Sequence, residues 1–197
     1  AILLNSSSSK PVVLNELKES TAKFFIKAPD NNVLEFVLSE KVILVEGDAE
    51  YMLLEALYSN ETKRSLDEDG VHVISVGGTS FKRYMELASK LGVKVAVIRD
   101  NDRNYELNCV DNYRDFVSGN IKVFSDHDNS RYTFEVCLYR DNEDVCNELF
   151  SGGGIRKEPL QYMLDNKAEA AFRLIDNEAY NLKVPDYIRA AIEWITE

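Results

Sequence analysis

The sequence predicts an α/β fold, a mainly parallel sheet flanked by helices, and three observations carry that expectation. The runs "KVILVEG", "VHVISVGG" and "VKVAVIRDND" are rich in Val and Ile without polar alternation, as strands buried on both faces are. Stretches with helical spacing, "DAEYMLLEALYSN" and "TSFKRYMELASKLG", separate them, and this alternation is the mark of parallel β-α-β units. Each strand also ends on chemically marked residues: Glu46-Gly47, Gly77-Gly78 and Asp100-Asn101-Asp102. Active groups in parallel sheets gather at these carboxyl ends.

The flanking segments read as follows. After a polar lead whose serine run resembles a linker, "VVLNELKESTAKFFIKA" has mixed helical spacing and "PDNNVLEFVLSEK" restarts as a short amphipathic helix. Residues 1–40 are therefore expected to be a polar lead and helical linker from an upstream region, and the absence of an initiating Met fits a piece of a longer protein. Beyond the third strand, "NYELNCVDNYRDFVSGN" reads as polar and helical. "IKVFSDHDNSRYTFEVCLY" reads as a fourth strand, a polar turn, and an extended or helical segment carrying Glu135. "SGGGIRKEPL" is a flexible break, "QYMLDNKAEAAFRLID" a helix, and "VPDYIRAAIEWI" an amphipathic closing helix with Pro185 near its first turn.

Composition narrows the functional classes. A chain of 197 residues, 45% hydrophobic, can bury a core without disulfide staples. Lys and Arg number 23 against 34 Asp and Glu, a net charge of -11, so a broad basic coat for nonspecific nucleic-acid binding is excluded. The three cysteines, Cys109, Cys137 and Cys146, contain no CxxC pair and suggest neither a disulfide framework nor a zinc ribbon, which fits a cytoplasmic protein. No apolar run approaches the about 18 residues that span a bilayer, and no secretory signal is present.

Glu46 leaves the end of a strand and Glu50 lies about one helical turn into the next element, so both can face one crevice. Gly47 permits the tight turn between them. Asp100 and Asp102, two apart, would share a face on an extended backbone. Converging carboxylates repel, and a site that keeps them ionised calls for a cation; all-oxygen ligands favour Mg, Mn or Ca. Each residue also has a plain structural reading: Glu50 as favourable charge in a first helical turn, Asp100-Asn101-Asp102 as a strand-to-loop turn, Gly77-Gly78 as a turn, Lys167 as a solvated lysine. His72 is expected to be an edge or packed histidine and His127 a solvated loop residue. The joint placement of acids at successive strand ends favours a site.

"VEGDAE", followed one β-α-β unit later by "IRDND", resembles the TOPRIM domain, in which a Glu-Gly motif follows the first strand and a DxD motif the third. "FVLSEKVILVEGDAEYMLLEALY", "YTFEVCL" and "NKAEAAFRLI" are similar to segments of the nuclease half of OLD (overcoming lysogenization defect) family proteins, with Phe134 where that family has Leu. The resemblance implies a TOPRIM, Rossmann-like domain over 41–197 with a C-terminal helical elaboration, and helical segments at both ends. It implies that Glu46, Glu50, Asp100, Asp102 and Glu135 ligate two divalent ions, Mg2+ or Mn2+, with Ca2+ accepted at the same site. Lys167 would contact the scissile phosphate, Glu46 and Lys167 would be catalytic, and Gly77 and Gly78 would let a DNA phosphate approach. The implied reaction is hydrolysis of a DNA phosphodiester, nicking or cutting DNA in phage defence or repair. An ABC-type ATPase precedes the nuclease half in that family; no GxxxxGK[ST] occurs here, so ATP would act only through such an upstream domain. A homo-oligomer is expected of the full-length protein.

Two other readings stay open. A non-catalytic TOPRIM module for DNA or partner binding commonly lacks the full acidic set, which is complete here. A receiver-like or phosphatase-like α/β domain with an aspartate nucleophile fits poorly, since receivers carry an acid pair after the first strand, where this chain has Glu46.

Overall fold

The structure is a computed structural model that describes residues 2–3, 12–13, 16–27, 32–77, 80–152, 154–178 and 181–197. The predicted serine-rich lead and Gly78 lie outside these residues. Two short strands, β1 (Ile2–Leu3) and β2 (Val12–Val13), pair antiparallel, and helices α1 (Glu19–Lys27) and α2 (Asn32–Leu38) follow. The alternating region is β3 (Lys41–Val45), α3 (Asp48–Thr62), β4 (Val71–Ser75), α4 (Phe81–Leu91), β5 (Lys94–Ile98) and, after irregular chain, β6 (Ile121–Phe124). Five helices close the chain: α5 (Phe134–Asp141), α6 (Glu143–Phe150), α7 (Pro159–Asp165), α8 (Lys167–Glu178) and α9 (Asp186–Thr196).

The four strands form one parallel sheet in the order β4-β3-β5-β6, as the continuous apolar runs predict. Val42 lies opposite His72 on one side and Val95 on the other, and Val97 opposite Val123. Because β3 sits between β4 and β5, the chain leaves it one way and returns on its other side. The strand order reverses there, and this is where a crevice opens beyond the carboxyl ends.

Alternation along the central strands divides the core. Ile43, Val45, Ala96 and Ile98 face α3 and the C-terminal helices, packing with Leu53, Leu57, Leu174, Ile188 and Ile192. Val42, Leu44, Val95 and Val97 face α2 and α4, packing with Phe36, Met85 and Leu87. Each such Val, Leu, Ile, Phe or Met side chain contributes about 1.5–3 kcal/mol when fully buried. α4 ends where Gly92 takes a left-handed φ of 76° and donates its N–H to Ala88 O at 2.8 Å, a backbone state that glycine adopts without strain.

The structure departs from the sequence reading in several elements. The single helix expected over 161–176 is two helices, because Asn166 leaves the helical region (φ -135°, ψ 50°) between α7 and α8. α6 went unpredicted, and the segment around Glu135 is helical, capped by Thr133 Oγ1 accepting from Val136 N at 3.3 Å. The polar stretch after the third strand holds only a π-helical turn, Glu106–Val110, and a 3-10 turn, Asp111–Tyr113. Among the described residues no helix is long and apolar enough to cross a membrane.

The helices α1 and α2 are packed parts of the second face, with Phe36 wholly buried against Tyr84 at a ring separation of 5.1 Å. Phe36→Ala is therefore expected to lower stability by about 3–5 kcal/mol in urea unfolding, as for other buried aromatic truncations. A loss of under about 0.5 kcal/mol, the surface value, would show that α2 is not part of the folded unit.

Candidate functional site

A cleft of about 240 Å3 lies beyond the carboxyl ends of β3 and β5, lined by Glu46, Gly47, Asp48, Ala49, Glu50, Asp100, Lys167 and Ala168. Glu46 follows β3, Glu50 projects from the first turn of α3, and Asp100 follows β5. Glu135 enters from the first turn of α5 and Lys167 is the first residue of α8. A lysine at a helix N-terminus opposes the helix dipole. Its compensation is Glu135, whose Oε2 lies 2.9 Å from Lys167 Nζ.

The acids feel one another. Burial, and then the Glu135 and Glu46 carboxylates, raise the Glu50 pKa to about 7 against its own backbone hydrogen bond and Lys167. Burial and repulsion from Glu50, Glu135 and Glu46 push Asp100 up to about 8, with Lys167 opposing. Burial disfavours the Lys167 ammonium, but the Glu135 carboxylate beside it and the charges of Asp100 and Glu50 outweigh that and raise its pKa. Glu135 is 2% exposed, and neither carboxylate oxygen has a hydrogen-bond donor in line with it. The ammonium near Oε2 is thus a charge contact rather than a directed bond.

Four of the five predicted acids come together with Lys167: Glu46 and Glu135 both bear on the protonation of Glu50 and Asp100, and Lys167 opposes them. The extended backbone expected through Asp100 and Asp102 is a correction: the chain turns through a left-handed Asp102 (φ 49°), and the two carboxylates take different partners. Asp100 Oδ1 accepts from Phe134 N at 2.8 Å at the start of α5, whereas Asp102 Oδ2 accepts from Arg99 Nη2 at 2.6 Å. Gly47 is a second correction: its φ of -139° is open to any residue, and the need for glycine is proximity, since a Cβ would lie 3.1 Å from Glu50 Oε2. Gly77 has the left-handed φ of 61° that favours glycine, with open space where a Cβ would project. Among the described residues no three His, Cys, Asp or Glu side chains are grouped closely enough to hold an ion as they stand.

Two residues escaped the sequence reading. Arg99 is bonded through Nη1 to Glu46 and through Nη2 to Asp102, with its side chain 14% exposed and its buried Nε unpartnered. It bridges acids from the ends of two strands, and its only signal was its place directly before the DxD. Asn101, between the two aspartates, is 1% exposed. Its Nδ2 donates to the carbonyls of Asp126, Asp128 and Arg131 at 2.8, 3.0 and 3.2 Å, while its Oδ1 accepts from Arg103 N at 2.8 Å. The cysteines take no part: all three are buried, and burial pushes the Cys137 and Cys146 thiols up to about 12.

This arrangement of strand order and strand-end acids is that of a TOPRIM fold, and the comparisons agree. Residues 37–102 match the family described as Overcoming lysogenization defect protein-like, TOPRIM domain. The C-terminal region of the OLD protein of Xanthomonas campestris pv. campestris, in a structure phased with iodine, is 25% identical, covering 80% of this chain and 94% of that one at a TM-score of 0.55. The same region phased with mercury is 26% identical, covering 80% and 95% at a TM-score of 0.52. No curated protein matches the chain. Over residues 37–102 the chain thus matches an OLD-like TOPRIM domain, and its fold is similar to that of OLD C-terminal regions.

Two predictions follow from the charges. In metal-free protein the folded state keeps protons on Glu50 and Asp100 at pH values where the unfolded chain has lost them. Their contribution is therefore greatest at low pH and is lost as pH rises through 7 and 8, a fall on the order of 3 kcal/mol between pH 5.5 and 8 in chemical denaturation. A flat or rising profile would contradict the shared-cleft geometry. Arg99→Gln should destabilise metal-free protein by about 2–4 kcal/mol, because two carboxylates lose their partner. Chemical denaturation of the variant reads this loss, and an unchanged stability would show that Arg99 does not hold the two acids in solution.

Proposed function

We propose that the chain is the nuclease portion of an OLD-family protein, a divalent-metal-dependent endodeoxyribonuclease that hydrolyses DNA phosphodiester bonds. The observation that carries this reading is the set of Glu46, Glu50, Asp100 and Glu135 around Lys167 at the strand-order reversal, with Glu50 and Asp100 pushed toward their protonated forms by burial first and by the neighbouring acids second. A pair of divalent ions fits this chemistry on two grounds: the donors are all oxygen, and the buried Glu135 oxygens lack aligned protein donors.

Glu46, Glu50, Asp100 and Glu135 would hold Mg2+ or Mn2+, with Ca2+ taken by the same oxygens, and Asp102 would join them on release from Arg99. When bound, such ions activate the attacking water and stabilise the leaving oxygen. The chain's own contributions are positional and electrostatic. Lys167, half exposed on the cleft, would hold the scissile phosphate and offset the charge that builds on it. Gly77, without a side chain at an exposed left-handed turn, would admit a backbone phosphate closely, with Gly78 beside it. Residues 1–40 would then lead from an upstream ABC-type ATPase domain into the nuclease domain of 41–197. ATP would act through that domain, the full-length protein would assemble as a homo-oligomer, and the setting would be cytoplasmic phage defence or DNA repair.

A second reading has one observation in its favour: Arg99 and Lys167 already neutralise Glu46, Asp102 and Glu135. A TOPRIM module that binds DNA or partner proteins without cutting would keep its acids so paired. Nicking of supercoiled plasmid with Mn2+ separates the two. Glu46→Ala, Asp100→Ala and Lys167→Ala are each expected to lose about 10²–10³-fold in rate while remaining folded by circular dichroism. Equal cutting by all three would mark a contaminant, and metal-independent DNA binding without nicking would establish the binding module.

A further inference from the structure

Asp102 is followed by a second left-handed residue, Arg103 (φ 68°). Two consecutive non-glycine residues in this region are uncommon and persist only where surrounding bonds over-determine them. Here Asn101 accepts from Arg103 N, and Asp102 N donates to Tyr132 O at 3.1 Å. The outcome is a particular display: the Arg103 guanidinium is centred 3.7 Å over the Tyr132 ring, with its outer face in solvent. Among the described residues Arg103 has no carboxylate partner, unlike Arg99, Arg114 and Arg131. On the same two segments the Tyr105 and His127 rings lie 4.3 Å apart at 37°, with Tyr105 N held by Asn129 Oδ1 at 2.8 Å and His127 exposed.

These four side chains stand on the same two segments that supply Asp100, Asp102 and Glu135. We propose that Arg103 on Tyr132, with the Tyr105–His127 pair, forms a stacking seat for an unpaired nucleobase of the DNA strand led into the acid cleft. This rests on the nuclease reading and names its substrate class: single-stranded or locally melted DNA. A guanidinium lying flat on an aromatic ring offers a second planar face that a base can cover, and base stacking tolerates any sequence. Bases inside a duplex have no free face to offer. The stacks are not needed merely to join loops 101–105 and 126–132, because Asn101 and Asn129 already do so through backbone hydrogen bonds.

Fluorescence anisotropy with labelled oligothymidylate, a duplex of equal length, and a strand of equal charge bearing abasic sites tests this in Ca2+ buffer. Wild type is expected to lose about tenfold in affinity when bases are replaced by abasic sites. Arg103→Ala and Tyr105→Ala should lose as much for oligothymidylate and less than about twofold for duplex. Arg103→Lys keeps the charge and the backbone N–H contacts but not the planar face, so it should behave as Arg103→Ala. Full rescue by lysine, equal losses on both DNAs, or no loss at all would each overturn the proposal. Plasmid nicking by wild type, run in parallel, tells the two readings apart. Base-dependent binding without nicking removes the hydrolase and leaves the seat, whereas nicking with unaffected variants removes only the seat.

Discussion

Parallel pairing of β3 with β5 is the constraint on which the site depends. Lys41 to Leu44 run in register with Lys94 to Val97, and the ladder continues past the strands where Arg99 N donates to Phe124 O and Val76 N to Val45 O. Those bonds fix the backbone just before each strand-end acid. Glu46 and Asp100 are distant in sequence, and closing so long a loop carries an entropic cost. What offsets it is the burial of Val42, Ile43, Leu44, Val95, Ala96 and Val97 on both faces. The site's geometry is thus inherited from apolar packing, and its carboxylates are placed where their own interactions oppose them.

Crowded carboxylates in a partly dry cleft have three means of relief: a proton, an internal cation or a bound ion. This chain displays the first two side by side. Glu50 and Asp100 are pushed toward protonation, while Arg99 takes Glu46 and Asp102, and Lys167 takes Glu135. A divalent ion would therefore compete with residues of the chain for its ligands, and its affinity would reflect the cost of displacing a half-buried guanidinium.

The parts of the fold carried by long apolar periods were legible in the sequence, and the parts set by single side chains were not. β3, β4 and β5 with α3 and α4 stand where the Val/Ile runs and helical spacing put them. α7 and α8 read as one helix because the apolar spacing runs through Asn166, whose departure to φ -135° is a tertiary choice that redirects the chain to present Lys167. α6 was lost because "NEDVCNELF" has only a short apolar stripe, yet Cys146 and Phe150 are fully buried. Within the site, Glu46, Glu50 and Asp100 came from strand ends, a general rule of parallel sheets. Glu135 and Lys167 came only through family resemblance, since nothing in their local spacing marks them. Arg99 was invisible because an arginine beside acids reads as solvated charge until its burial is known.

The middle residue of the DxD shows why such a motif misleads when read as two acids and a spacer. On an extended strand the spacer would point away, and both carboxylates would share a face. Asn101 instead turns inward, is more buried than either aspartate, and gathers three carbonyls of the loop that precedes α5. A cation could have organised the same carbonyls; here a neutral side-chain amide does so instead. The loop so held brings Phe134 N onto Asp100 and, one residue later, Glu135 into the cleft. Asn101 thereby sets the spacing between acids from β5 and α5, and the left-handed turn at Asp102 is the geometric consequence of burying it.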